Sequence, residues 1–325
     1  MSACADATPA PAPDSAVPVP IDPTGRYAVT SSFALSSPPA AAADVLGELL
    51  AATDGPDDPS RYLIDLMIER LPPGTTKAYA AALAPYVAAY VNQRLAMVAP
   101  HFVDGARALS TGLARIATRF GTTETFDIAS DGPRVEGDDY VAESHTLTRT
   151  ITGVRFDLHG GRDVADVRFA PLGLPDITTG SVAMIDGDRL TIVLHATSLP
   201  YTRMLRLGID FAVIPDVVPA AHDLAQALAV LVDCDQLGAA VAEYMGIGST
   251  SFYATACTLG LTALASRIYA RIDAIDAASL SLEVAGDAVA VDKTGDGPMD
   301  AFMHGTWTGS FASMAVTSSF EGTRQ

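Results

Sequence analysis

The sequence predicts an α+β fold in which a curved antiparallel sheet packs against long amphipathic helices. Three observations predict it. Apolar residues recur at a helical period over 42–120 and again over 216–276. They switch to a period of two over 121–214 and 280–322. Helix and strand signals come in blocks rather than alternating one by one, which points away from a parallel doubly wound sheet.

Residues 1–24 form a Pro/Ala-rich linker with prolines at Pro9, Pro11, Pro13, Pro18, Pro20 and Pro23. Such a stretch stays extended and builds no core. Residues 25–325 read as one domain. It opens with a strand over 25–37, where Tyr27, Val29, Thr30 and Phe33 precede the stop at Pro38-Pro39. A helix over about 42–52 follows. Asp58 caps the next, with Pro59 at its first position, and Leu71-Pro72-Pro73-Gly74 ends it.

The longest helical signal runs over about 76–120. Leu83, Val87, Val91, Leu95, Val98, Phe102, Ala106, Leu109, Leu113, Ile116 and Phe120 fall three or four residues apart and make one continuous apolar face. Pro100 breaks it into two helices. Arg94, His101, Asp104, Arg107, Arg115 and Arg119 interrupt every window long enough to span a membrane.

In the sheet block, Val154, Phe156 and Leu158 alternate with Arg155, Asp157 and His159. Leu190, Ile192 and Leu194 alternate with Thr191, Val193 and His195. Asp186-Gly187 marks a hairpin turn. Five or six antiparallel strands result, packed on one face and wetter on the other. His145, His159 and His195 are expected on the wetter face, with convergence of the three as the alternative. The second helical block carries Leu224, Leu228 and Leu231, then Leu261, Leu264, Ile268, Ile272 and Ile275. In the closing strands, Leu280, Leu282 and Val284 are expected to pair with Val289 and Val291 across Gly286-Asp287. Trp307, Phe311, Val316 and Phe320 form a final hairpin.

Composition narrows the function. The chain is 49% hydrophobic and 18% charged, against about 25% charged in average proteins. Thirty-eight acidic residues against 20 basic ones give a net charge of −18. That excludes a general nucleic-acid binder, which needs a basic face. It also argues against electrostatic docking on anionic lipid. Only Lys77 and Lys293 are lysines. The sequence has no Gly-x-Ser-x-Gly elbow, phosphate-cradling loop, dinucleotide fingerprint or His-Glu-x-x-His helix.

Ser2-Ala3-Cys4 followed by the linker resembles the lipobox of bacterial lipoproteins, with Met1 where that family has Leu. The resemblance implies lipid attachment at Cys4, a signal peptide trimmed or with a misassigned start, and a place in the cell envelope. Ala5, rather than Asp, implies the periplasmic side of the outer membrane or the cell surface. The membrane is then met through the anchor only. The alternative is an incidental cysteine in a tail. If Cys4 carries lipid, Cys234 and Cys257 remain, on either side of Gly246-Ile247-Gly248. A disulfide between them suits an oxidising compartment; two buried thiols are the alternative.

Asp292-Lys293-Thr294-Gly295 resembles the phosphorylated motif of P-type ATPases. Asp296 stands where that family has Thr, and no spanning helices accompany it. The same stretch resembles an EF-hand loop: Asp292, Thr294 and Asp296 at positions one, three and five, Gly297 at the sharp turn, Asp300 at nine, and Met303 in place of the bidentate Glu. Asp292, Asp296 and Asp300 are therefore a calcium candidate, with an ordinary Asp/Gly turn as the alternative. No cofactor is required by any other motif.

These readings converge on a non-enzymatic envelope lipoprotein that binds or carries an apolar ligand such as a lipid. Val91, Leu95, Val98, Phe102, Leu109 and Leu113 would line its site. The block order is also similar to tubular lipid-binding domains, whose curved sheet wraps a long helix. An anchored structural or adhesion module and an unrecognised hydrolase are the alternatives.

Overall fold

Strand alternation decides which side chains turn inward, and inward here means into a closed barrel. The computed structural model describes residues 19–39, 42–43, 59–94, 101–131, 135–136, 139–140, 144–160, 164–275 and 280–325. The barrel strands are β1 (Gly25–Leu35), β2 (Arg119–Ser130), β5 (Ser144–Asp157), β7 (Ile177–Asp186), β8 (Arg189–Ser198), β9 (Ser281–Val291), β10 (Ala301–Phe311) and β11 (Met314–Arg324). A two-residue pair, β3 (Val135–Glu136) and β4 (Asp139–Tyr140), lies between β2 and β5, and β6 (Val164–Arg168) adds to the end of β5.

The eight strands follow the order β2-β1-β11-β10-β9-β8-β7-β5, every neighbour antiparallel, and β5 returns to pair with β2. This corrects the expected curved sheet packed against long helices. Closure leaves the ring no free edge. A period of two assigns faces but not partners, so an open and a closed sheet look alike in sequence. The packed face becomes the barrel interior and the wetter face its outside.

The helices are α1 (Pro59–Glu69), α2 (Thr75–Gln93), α3 (Phe102–Thr118), α4 (Tyr201–Gly208), α5 (Ile214–Val217), α6 (Leu224–Leu231), α7 (Cys234–Met245) and α8 (Thr250–Asp273). One π-helical turn, Ile209–Val213, joins α4 to α5. The expected sheet block therefore ends at Ser198, because Tyr201, Met204, Leu205, Leu207 and Ile209 follow a helical period and are buried. Both helical insertions, β1 to β2 and β8 to β9, leave and re-enter at the same end of the barrel. There Phe33, Phe120, Tyr201 and Phe311 pack ring against ring. The Tyr201 hydroxyl donates to the Ala117 carbonyl at 2.8 Å. Among the described residues no single helix is long and apolar enough to cross a membrane.

β9 runs unbroken through Gly286, which corrects the expected hairpin at Gly286-Asp287. Gly286 faces the interior, and a Cβ there would lie 2.6 Å from the Trp307 ring. The glycine makes room for an aromatic ring rather than a turn. Asp186-Gly187 does form its turn, with Gly187 at φ 59°, and β10 and β11 form the expected closing hairpin.

Candidate functional site

The barrel interior is occupied by its own side chains. Trp307 stacks on Phe320 with ring centroids 4.1 Å apart, and Phe126, Phe302 and Tyr27 complete the cluster. Against it sits a buried ion pair: Arg149 meets Glu124 through Nε–Oε2 and Nη2–Oε1 contacts of 2.7 Å each. Thr122 also donates to Glu124 Oε1, and the Arg149 guanidinium lies 4.9 Å over the Trp307 ring. Arg149 Nη1 reaches His195 Nε2 at 3.2 Å. A guanidinium only donates, so Nε2 accepts, and the proton on Nδ1 is donated to the Val193 carbonyl at 3.1 Å. Burial pushes the His195 pKa below its usual value.

His145 and His195 are therefore buried inside the barrel, not on its wetter face. Of the predicted ligand-lining residues, Val91 is buried on α2, and Phe102, Leu109 and Leu113 are buried on α3, all within the main core. Leu95 and Val98 lie outside the described residues, as does Cys4. Their period is the ordinary one of a helix face packed on its neighbours.

A groove opens instead on the outside of the barrel, where α3 runs into β2. It encloses about 950 Å³ between β1, the start of β2 and the end of β5. Arg115 comes from the last turn of α3, where the helix dipole favours a cation. Arg119 opens β2. Arg155 projects from the outer face of β5, in register with Gly121. A Cβ on Gly121 would stand 2.7 Å from the Ser31 carbonyl oxygen and 3.3 Å from the Arg155 Cβ, so the glycine lets these strands crowd together. His159 follows β5 and bonds Asp216 through Nε2 at 2.6 Å. Asp157, also on the wall, accepts the His159 backbone N–H at 3.1 Å.

Charge distinguishes this groove. Several arginines outside it pair with acids: Arg26 with Asp127, Arg94 with Glu243, Arg189 with Asp287, Arg206 with Asp273. The side chains of Arg115, Arg119 and Arg155 make no ion pair or hydrogen bond among the described residues. Arg155 Nε is fully shielded and has no acceptor among the described residues. No protein-family model, curated protein or solved structure matches the chain. The groove's chemistry thus rests on its own geometry: three unneutralised guanidiniums on one wall system, suited to an anion.

The remaining predicted sites fall elsewhere. Cys234 and Cys257 form a disulfide between α7 and α8, with Cα atoms 5.6 Å apart. Asp292 lies at the far end of the barrel, between β9 and β10. Its carboxylate accepts the backbone N–H groups of Thr294, Gly295 and Gly297, and these bonds, that from Gly297 foremost, hold its pKa low. Asp300 accepts the Lys293 N–H at 2.7 Å, and Asp296 accepts the Thr294 hydroxyl at 2.5 Å. Among the described residues no three His, Cys, Asp or Glu groups converge on a metal position. The loop has the bonding of an Asp/Gly turn.

Proposed function

We propose that this chain is a non-enzymatic binding protein of the cell envelope whose ligand carries a negative charge and is held in the arginine groove. One observation carries the reading. In a chain of net charge −18, Arg115, Arg119 and Arg155 share a groove and none is neutralised among the described residues. Like charges lining one groove raise the local positive potential, which an anion would relieve. The disulfide and the lipobox-like Ser2-Ala3-Cys4 support an envelope location.

Calorimetric titration of the full chain with phosphate and with acetate at low ionic strength tests the groove. Binding is expected, weakening as salt rises. Arg119→Ala and Arg155→Ala are each expected to weaken it about tenfold or more, the worth of a hydrogen bond to a charged group. Equal binding by the variants, or none by the native chain, overturns the reading. For the anchor, mass spectrometry of the membrane-fraction protein should find a lipid on Cys4; an unmodified thiol there refutes it.

The His159–Asp216 pair favours a hydrolase, since such a pair orients a general base. Among the described residues no hydroxyl is bonded to the other ring nitrogen of His159, so no nucleophile accompanies it.

A further inference from the structure

The arginine groove does not end at Arg115. It continues along α3 as two further hollows. The middle one, about 330 Å³, shares Arg115, Leu158 and His159 with the arginine groove. The last, about 510 Å³, shares Asp104, Ala108 and Asp216 with the middle one. From Arg115 back to Gly105 the helix spans about 15 Å.

The wall changes character along that length. At the far hollow Val217, Val218, Pro219, Ala220, Val230 and Leu231 form most of the wall, with His101, Asp104 and Asp216 at its polar side. Val230 stands 57% exposed on α6. Gly105 allows α6 to come close: a Cβ there would lie 2.3 Å from a Leu231 methyl. A trough with unneutralised arginines at one end and an apolar floor at the other matches a molecule with the same division.

Resting on the anion-binding reading, we infer that the ligand is a single-chain anionic amphiphile. Its carboxylate or phosphate head lies among Arg115, Arg119 and Arg155, and its aliphatic tail lies along α3 in the hollow floored by Val218 and Leu231. The charge complementarity of the head end selects this occupant over a neutral hydrocarbon. The tail adds apolar contact, which a small anion lacks.

The experiment is a titration of the full chain with acetate, hexanoate, dodecanoate, dodecyl phosphate and dodecanol, each below its aggregation threshold. Affinity is expected to rise from acetate to dodecanoate by up to about fourfold per methylene buried. Dodecanol is expected to bind at least tenfold more weakly than dodecanoate. Comparison of dodecanoate with dodecyl phosphate reveals whether the head site prefers a fatty acid or a phosphate-headed lipid. Val230→Asp, a change at an exposed position, should reduce the gain with chain length. Dodecanoate binding no tighter than acetate, or an unchanged chain-length series in Val230→Asp, overturns the tail site while the anion site stands. Dodecanol binding as tightly as dodecanoate overturns the anionic head, and the proposed function with it.

Discussion

Arg149 and Glu124 face each other inside the barrel as a two-pronged ion pair, 2.7 Å on each prong, with neither side chain exposed. Desolvating two charges costs several kcal/mol per ion, and this geometry offsets it only while both partners remain. Glu124→Gln is therefore expected to destabilise the fold by about 3–5 kcal/mol. Arg149→Met should do the same, whereas the double variant Glu124→Leu with Arg149→Met should recover most of the loss. Urea unfolding of the three variants checks this. A double variant as unstable as either single one would show that the pair is not the source of the effect.

His195 ties that pair to pH. Burial is the main reason its pKa lies below the usual 6.5; its bond to the Val193 carbonyl opposes the shift, nearby Arg149 adds to it, and Glu124 opposes it. A group whose folded pKa is depressed in this way stays neutral in the fold while the unfolded chain takes up a proton. Stability is therefore full above about pH 6.5 and falls as pH drops through that value, levelling off below the folded pKa. The slope from this one group is at most about 1.4 kcal/mol per pH unit. His195→Gln keeps an acceptor for Arg149 and removes the titration. Denaturant midpoints measured between about pH 5 and about pH 8 should then vary less with pH than those of the native chain.

Gly286 is expected to tolerate no side chain. Its Cβ would meet Trp307 at 2.6 Å and Phe320 at 3.2 Å, and those rings are stacked on each other. Gly286→Ala should destabilise by about 1–3 kcal/mol through overpacking. Near-ultraviolet circular dichroism should also report a displaced tryptophan. An unchanged spectrum and midpoint would mean that the ring cluster has slack.

Local features of this fold were legible in the sequence, and non-local ones were not. The strand at Gly25–Leu35, the turn at Asp186-Gly187 and the helix starting at Pro59 each depend on a few adjacent residues. Barrel closure depends on β1 finding β11, Tyr27 opposite Arg324, and β2 finding β5. Nothing in an alternating pattern names a partner. The groove shows the same division. Arg115 stands in the last turn of a helix and Arg119, four residues on, opens a strand. In sequence they read only as charges that exclude a membrane span. Arg155 joins them through the β2–β5 register that sets Gly121 opposite it, so the cluster exists only once the barrel closes.

The Cys234–Cys257 disulfide closes the turn between α7 and α8, with a sequence separation of 23. A loop of this length constrains the unfolded chain by about 3 kcal/mol. Here it also pins the start of α7 against the middle of α8, where Cys257 is buried. Gly238 already brings the two helices together, since a Cβ there would lie 2.6 Å from the Ala254 backbone nitrogen. The bond therefore joins surfaces that close packing holds in place. Cys234→Ala with Cys257→Ala should fold to the same structure and lose about 3 kcal/mol. Adding a reductant to the native chain should lower the denaturant midpoint, and the same reductant should leave the double alanine variant unmoved. A native chain indifferent to reductant would mean that the bond does not form in solution, and the support it lends to an envelope location would go with it.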